Sequence, residues 1–241
     1  MIQFSNVSKN FGNKVLYSNS SFQINAGEKV GLVGPNGAGK TTVFRLIAGE
    51  QEPDSGRVVK VGKPKIGYFS QHIEDMRGRS ALQEVISAVG DAEAIQKRLK
   101  EIESLLSDPE LDPEKMADIL EEYGEKQSQF EAMGGYDLES RAAAILTGLG
   151  IGPDDYHRPT ESFSGGWKMR IALAKILALN PDLLLMDEPT NHLDLESILW
   201  LEEWIANFEG AILMTSHDRD FVNRLVTRID RKSTRLNSSH T

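Results

Sequence analysis

Apolar and polar residues alternate over Ile2–Lys9 and again over Lys14–Ile24, with Asn10-Phe-Gly-Asn13 between them. A period of two marks a half-buried strand, so the spacing predicts an antiparallel pair joined by that turn. Lys29–Val33 is a short apolar run and predicts a buried strand, which leads directly into the glycine-rich stretch Gly34–Thr41. Thr42–Ala48 then changes to helical spacing. Further along, Lys65–Ser70, Asp182–Met186 and Ala211–Ser216 predict strands, and Trp167–Leu179 predicts an apolar-periodic helix. Trp200 and Trp204, at i and i+4, are read as core residues of one more helix. Strands interleaved with helices define an α/β chain.

The middle of the chain has a different period. Ile95, Leu99, Ile102 and Leu105 form one helical stripe, Asp108-Pro-Glu-Leu-Asp-Pro113 breaks it, and Met116, Ile119, Tyr123, Phe130 and Met133 form a second, less regular one. The pattern predicts an αα-hairpin over about 91–133, within a helical subdomain over 72–162.

A chain of 241 residues, 39% hydrophobic, suits one well-cored domain carrying a helical insert. Without cysteine it has neither a disulfide framework nor a thiolate metal site, and its N-terminus lacks the basic-then-apolar pattern of a signal peptide. A cytoplasmic location is expected. The apolar stretches Ile171–Ala174 and Ile176–Leu179 fall well short of a bilayer span, so direct membrane insertion is not expected. A net charge of −9 argues against general nucleic-acid affinity and against sequence-specific DNA binding. At the C-terminus, Asp230–His240 follows in order one reading frame of a common short-read sequencing adapter. Residues 230–241 are therefore set outside the fold as adapter-derived, which leaves a domain over 1–229 and a native sequence expected to be cut at about Ile229.

The order strand, glycine loop, helix is the context of a phosphate-binding loop. Gly34, Pro35, Asn36, Gly37, Ala38, Gly39, Lys40, Thr41 and Thr42 match the pattern G-x4-G-K-[ST] and its next residue. Small residues let successive backbone N–H groups curl around phosphate oxygens while the helix presents its positive end. In that role Lys40 reaches the β- and γ-phosphates and Thr41 holds Mg²⁺. Asp187 and Glu188 end the strand Asp182–Met186, at the sheet edge where α/β proteins bind ligands. Taken alone they fit an acidic loop capping a strand equally well. Beside a phosphate-binding loop, Asp187 suits a water-mediated metal contact and Glu188 suits the base for an attacking water.

With Ser164-Gly-Gly-Trp-Lys-Met-Arg170 placed ahead of Asp187-Glu188, the chain over 1–229 resembles the ATP-binding cassette (ABC) ATPases. The resemblance implies a RecA-like core with an N-terminal antiparallel β-subdomain and a helical subdomain, with ATP and Mg²⁺ as ligands. It also implies that Ser164, Gly165 and Gly166 face a nucleotide held by a second cassette; a plain helix cap at Ser164 is the competing reading. By the same resemblance Gln71 matches the Q-loop that senses metal and water, His217 the switch histidine near the γ-phosphate, and Asp194 the D-loop at the dimer interface. Phe11 sits where the family stacks a ring on adenine, with core packing as its rival.

The hairpin, the SGGW form of the signature and Asp187-Glu-Pro-Thr-Asn-His-Leu-Asp194 resemble the first cassette of ABC-F proteins, soluble twin-cassette ATPases that act on ribosomes as translation or antibiotic-protection factors. The implied partners are a second cassette and the ribosome. Residues 91–133 hold five basic residues, Lys97, Arg98, Lys100, Lys115 and Lys126, against thirteen acidic ones, which makes the hairpin a poor generic clamp for RNA. Two other readings stay open: the ATPase subunit of a membrane transporter, and a nucleotide-binding fragment without turnover.

Overall fold

The computed structural model describes residues 1–12, 14–70, 76–90, 92–107 and 113–231. In chain order the elements are β1 (Ile2–Phe11), β2 (Lys14–Ile24), β3 (Lys29–Val33), α1 (Lys40–Ala48), β4 (Ser55–Lys60) and β5 (Ile66–Phe69). Five helices follow: α2 (Ala81–Ile86), α3 (Ala92–Leu106), α4 (Pro113–Ala132), α5 (Gly135–Gly148) and α6 (Gly165–Ala178). The chain then runs through β6 (Leu183–Asp187), α7 (Leu195–Asn207), β7 (Ala211–Thr215), α8 (Arg219–Leu225) and β8 (Arg228–Arg231). Met1–Ile73 and Asn180–Thr241 form one compact unit, and Glu74–Leu179 forms another.

The first unit contains two sheets. β1 and β2 pair antiparallel with Ile2 opposite Ile24 and Phe11 opposite Lys14, as the alternation predicts. β4, which the pattern did not reveal, lies on the other side of β1. Its residues are exposed or half-buried, so no apolar face stands out in the sequence. The second sheet is parallel, in the order β5-β6-β7-β3-β8. Every residue of β6 and β7 is buried, which is why both strands read as continuous apolar runs. One core joins the two sheets to α1 through Phe4, Ile24, Val30, Phe44, Ile47, Leu185 and Leu213.

β8 pairs with β3 from Val30 opposite Arg228 to Val33 opposite Arg231. The strand thus continues through Asp230 and Arg231, two positions that the adapter-like sequence sets outside the fold. Ladder bonds run between backbone groups, so an edge strand extends largely without regard to side-chain identity.

In the second unit the hairpin is present as α3 and α4, and Asp108–Asp112 at its connection lie outside the described residues. Ile95, Leu99 and Ile102 are buried as their stripe predicts, but Leu105 is exposed. On α4, Phe130 is buried while Met116 and Leu120 are exposed, as is Met133 just past its end. The cause is packing depth. Toward the start of α3 and the end of α4, α5 also packs on α4 and adds Leu138 to a cluster with Val89, Ile95, Leu99 and Phe130. The compact helical unit reaches Leu179, beyond the 162 expected, because α6 buries Ile171, Leu173 and Leu177 and packs on α2 and α5.

Candidate nucleotide-binding site

β6, β7 and β3 are consecutive in the parallel sheet, so their C-terminal ends lie side by side. Residues 34–39 follow β3 and lead into α1. Gly37 and Gly39 have φ of 73° and 88°, a left-handed backbone that a side chain would strain. The Ala38 N–H closes the turn on the Pro35 carbonyl at 3.1 Å. No side chain caps α1 and no acidic residue occupies its first turn, so its positive end is open to an anion. The Lys40 ammonium donates to the carbonyl of Gly34 at 2.9 Å and that of Pro35 at 3.4 Å. From β2 the buried Tyr17 hydroxyl donates to the Gly39 carbonyl, and burial pushes the Tyr17 phenol well above its usual range.

The acidic side of the site is built across strands. Asp187 and Glu188 are 4% and 5% exposed, a degree of burial that carboxylates tolerate only with partners. Asp187 accepts from the Thr41 hydroxyl at 2.7 Å and from the Thr215 hydroxyl at 2.8 Å. The Glu188 N–H donates to the Thr215 carbonyl at 3.2 Å and hydroxyl at 3.1 Å, which holds Glu188 at φ 55°. One Glu188 carboxylate oxygen accepts from the His217 backbone N–H at 2.8 Å, and the other is 3.6 Å from His217 Nε2. The imidazole itself is largely exposed. These residues surround a groove of about 550 Å³, also lined by Phe11, Asn36 and Lys40. One hydroxyl and one carboxylate, both oxygen donors, fit a small divalent cation that keeps waters and takes phosphate oxygens as further ligands. Under α1, burial together with the Asp187 charge pushes the Tyr68 phenol up to about 12.

The sequence-predicted residues Phe11, Asn36, Gly37, Gly39, Lys40, Thr41, Thr42, Asp187, Glu188 and His217 therefore line a single groove. Phe11 is 49% exposed, with the Lys9 ammonium 5.8 Å from its ring centre, so core packing does not account for it. Gln71 lies outside the described residues. Asp194 caps α7, its carboxylate accepting from the Ser197 N–H at 2.9 Å. In the helical unit Ser164 stands at the N-cap of α6 but makes no side-chain cap bond, so the plain capping reading of Ser164 does not hold. Gly165 is exposed and Gly166 half-buried, both with open space where a Cβ would be. Thr215 and Tyr17 were missed. Nothing local marks either one; Thr215 is recognisable only from the register that sets it opposite Asp187.

A glycine loop on a helix end, facing a paired carboxylate edge, is the arrangement of a P-loop nucleotide-binding protein. The chain belongs to the ABC transporter family, whose profile, described as "ABC transporter", matches residues 17–191. Its relatives include ABC-F proteins, the branch that the sequence resembles. It is 37% identical to ABC transporter F family member 5 of Arabidopsis thaliana over 95% of this chain and 33% of that protein. It is 38% identical to the probable ATP-binding protein YheS of Escherichia coli strain K12, over 95% of this chain and 34% of that protein. The chain thus spans about a third of the length of these curated relatives. A dimeric cassette solved in a post-hydrolysis state with ADP and Pi shares the fold at TM-score 0.65 and 20% identity, covering 96% of this chain and 94% of that one. Among the described residues no helix is long and apolar enough to cross a membrane.

Proposed function

We propose that this cassette hydrolyses Mg-ATP as one half of a two-cassette site, and that the protein carrying it works on the ribosome in the manner of ABC-F proteins. The observation that carries the hydrolytic reading is the buried Glu188 carboxylate, fixed by the His217 N–H beside Lys40 and Thr41. A fixed, desolvated carboxylate next to a phosphate cradle is what general-base activation of water needs.

In this mechanism the 34–39 backbone and the N-terminus of α1 bind the phosphates, and Lys40 exchanges its Gly34 carbonyl for phosphate oxygens. Thr41 and Asp187 would hold a magnesium ion, which would supply charge neutralisation to the phosphates. Glu188 orients a water and takes its proton as the water oxygen bonds to the γ-phosphorus. The bond from that phosphorus to the bridging oxygen breaks, leaving ADP and phosphate. His217 would stabilise the γ-phosphate side and Phe11 would stack on the base, and by the family resemblance Gln71 would serve metal and water. Ser164, with Gly165, Gly166 and the open N-terminus of α6, serves the partner's nucleotide, while Asp194 lies at the cassette interface. The Ser164 hydroxyl, which makes no cap bond to α6, supports this assignment.

The ribosomal reading is supported by the F-family relatives and by the α3–α4 hairpin. The hairpin's acidity favours contact with a basic ribosomal protein over contact with RNA. Co-sedimentation tests it: the Glu188→Gln chain should pellet with purified ribosomes in ATP and be released in ADP. Absence of nucleotide-dependent pelleting by the intact gene product carrying the same substitution would favour a transporter subunit instead.

A further inference from the structure

The first compact unit has a second groove, of about 690 Å³, away from the nucleotide residues. It is lined by residues flanking the starts of β3, β6 and β7, among them Gly27, Asp182 and Gly210, so it opens at the N-terminal edge of the parallel sheet. The nucleotide groove is at the opposite, C-terminal edge. The aromatic wall comes from the last turns of α7. Trp200 and Trp204, expected in the core, are only half-buried, and the Trp204 ring stacks on Phe208 with centres 4.9 Å apart. Half-buried indoles give up burial that the fold could have used; Phe208 covers one face of Trp204, and the exposed parts of the two rings are left for a ligand.

The charged side chains of the groove are acidic, and Met1, also in the lining, adds the chain's terminal ammonium. Its lining side chains include the carboxylates of Asp182, Glu203 and Glu209 and no lysine, arginine or histidine. Glu203 and Glu209 are exposed, and among the described residues neither forms an ion pair. The C-terminal end of α7 adds a negative pole, with no basic residue in its last turn. That end already takes a cation: the Lys29 ammonium donates to the Ala206 carbonyl at 2.8 Å. Indole faces beside free carboxylates at a helix C-terminus favour a planar, weakly hydrated cation. They disfavour a phosphate backbone.

We propose that this groove docks an arginine-bearing stretch of a partner polypeptide, with a guanidinium over the Trp200 and Trp204 rings and in reach of Glu203 and Glu209. The volume suits several side chains, since whole ligand pockets span about 300–1,000 Å³. A segment alternating arginine with leucine fills it better than a lone cation, because the half-buried indoles provide apolar contacts beside the acids. Arginine is the expected anchor because it combines bidentate pairing with stacking.

The test is fluorescence anisotropy on the full 241-residue chain, with a labelled probe peptide Leu-Arg-Leu-Arg-Leu, blocked at both ends, and its citrulline counterpart, which keeps the shape and loses the charge. Saturable binding of the arginine peptide, at least tenfold weaker for the citrulline form, is expected. The double variant Glu203→Lys, Glu209→Lys, at exposed positions that do not threaten folding, should abolish it, as should Trp204→Ala, with affinity for an ATP analogue unchanged in both. Equal binding of the citrulline peptide, full retention in the charge-reversed variant, or no saturable binding would overturn the proposal. So would arginine amide binding as tightly as the peptide, or displacement of the peptide by a single-stranded RNA oligonucleotide.

Discussion

Thr215 holds the Asp187 carboxylate through its hydroxyl and the Glu188 backbone through its carbonyl and hydroxyl, which accept from the Glu188 N–H. Thr215→Val keeps the shape and removes the hydroxyl, leaving a buried carboxylate oxygen short of a donor. It should cost about 1–3 kcal/mol in a urea titration. ATP affinity, which rests on the phosphate loop, should change little, while kcat falls. A second residue-scale effect concerns alkaline pH. The folded state keeps the Tyr68 proton up to about 12 against an ordinary 10.0. The unfolded chain releases that proton first, so stability is fully present below pH 10.0 and declines as pH rises toward about 12. Tyr68→Phe should flatten part of that decline, read as the gap between urea midpoints at pH 9 and pH 11; identical gaps for the two proteins would count against it.

At the scale of elements, the hairpin depends on a small cluster. Phe130 is 4% exposed and packs with Ile95, Leu99 and Leu138, and a Cβ added at Gly135 would meet its ring at 2.5 Å. Phe130→Ala should therefore cost about 3–5 kcal/mol. The loss should appear as an earlier unfolding step in helical circular dichroism, with nucleotide binding by the other compact unit surviving that step. The salt bridge of Arg98 to Glu122, at 2.7 Å, links α3 to α4 on an exposed face and contributes orientation more than stability. The stripes on α3 and α4 were legible because helical spacing is local. The exposure of Leu105, Met116 and Leu120 was not, because it depends on which other elements pack against the pair.

For the whole molecule, the proposed division of the catalytic site between two cassettes has a kinetic consequence. A strictly monomeric preparation should bind Mg-ATP yet turn over slowly, and the rate per chain should rise with protein concentration or on joining a second cassette. A high rate independent of concentration, with a monomer on size-exclusion chromatography, would show the base and cradle of one chain to be sufficient. The exposed Leu195 and Leu199, next to Asp194 on α7, are consistent with a surface that gains a partner.

The phosphate loop, the strand bearing Asp187 and Glu188, the signature serine and the hairpin were all legible in the linear chain, because each depends on neighbours within one or two turns. The period of apolar residues and the placement of glycines encode such features directly. Four features came from the folded chain alone: Thr215 opposite Asp187, the His217 N–H on Glu188, the parallel partnership of β8 with β3, and the open Trp200 and Trp204 wall. Strand register and order join residues tens to hundreds of positions apart, and no local period records which strand will lie beside which. Apolar character likewise shows that a residue favours burial, while the elements packed around it set how much burial it receives.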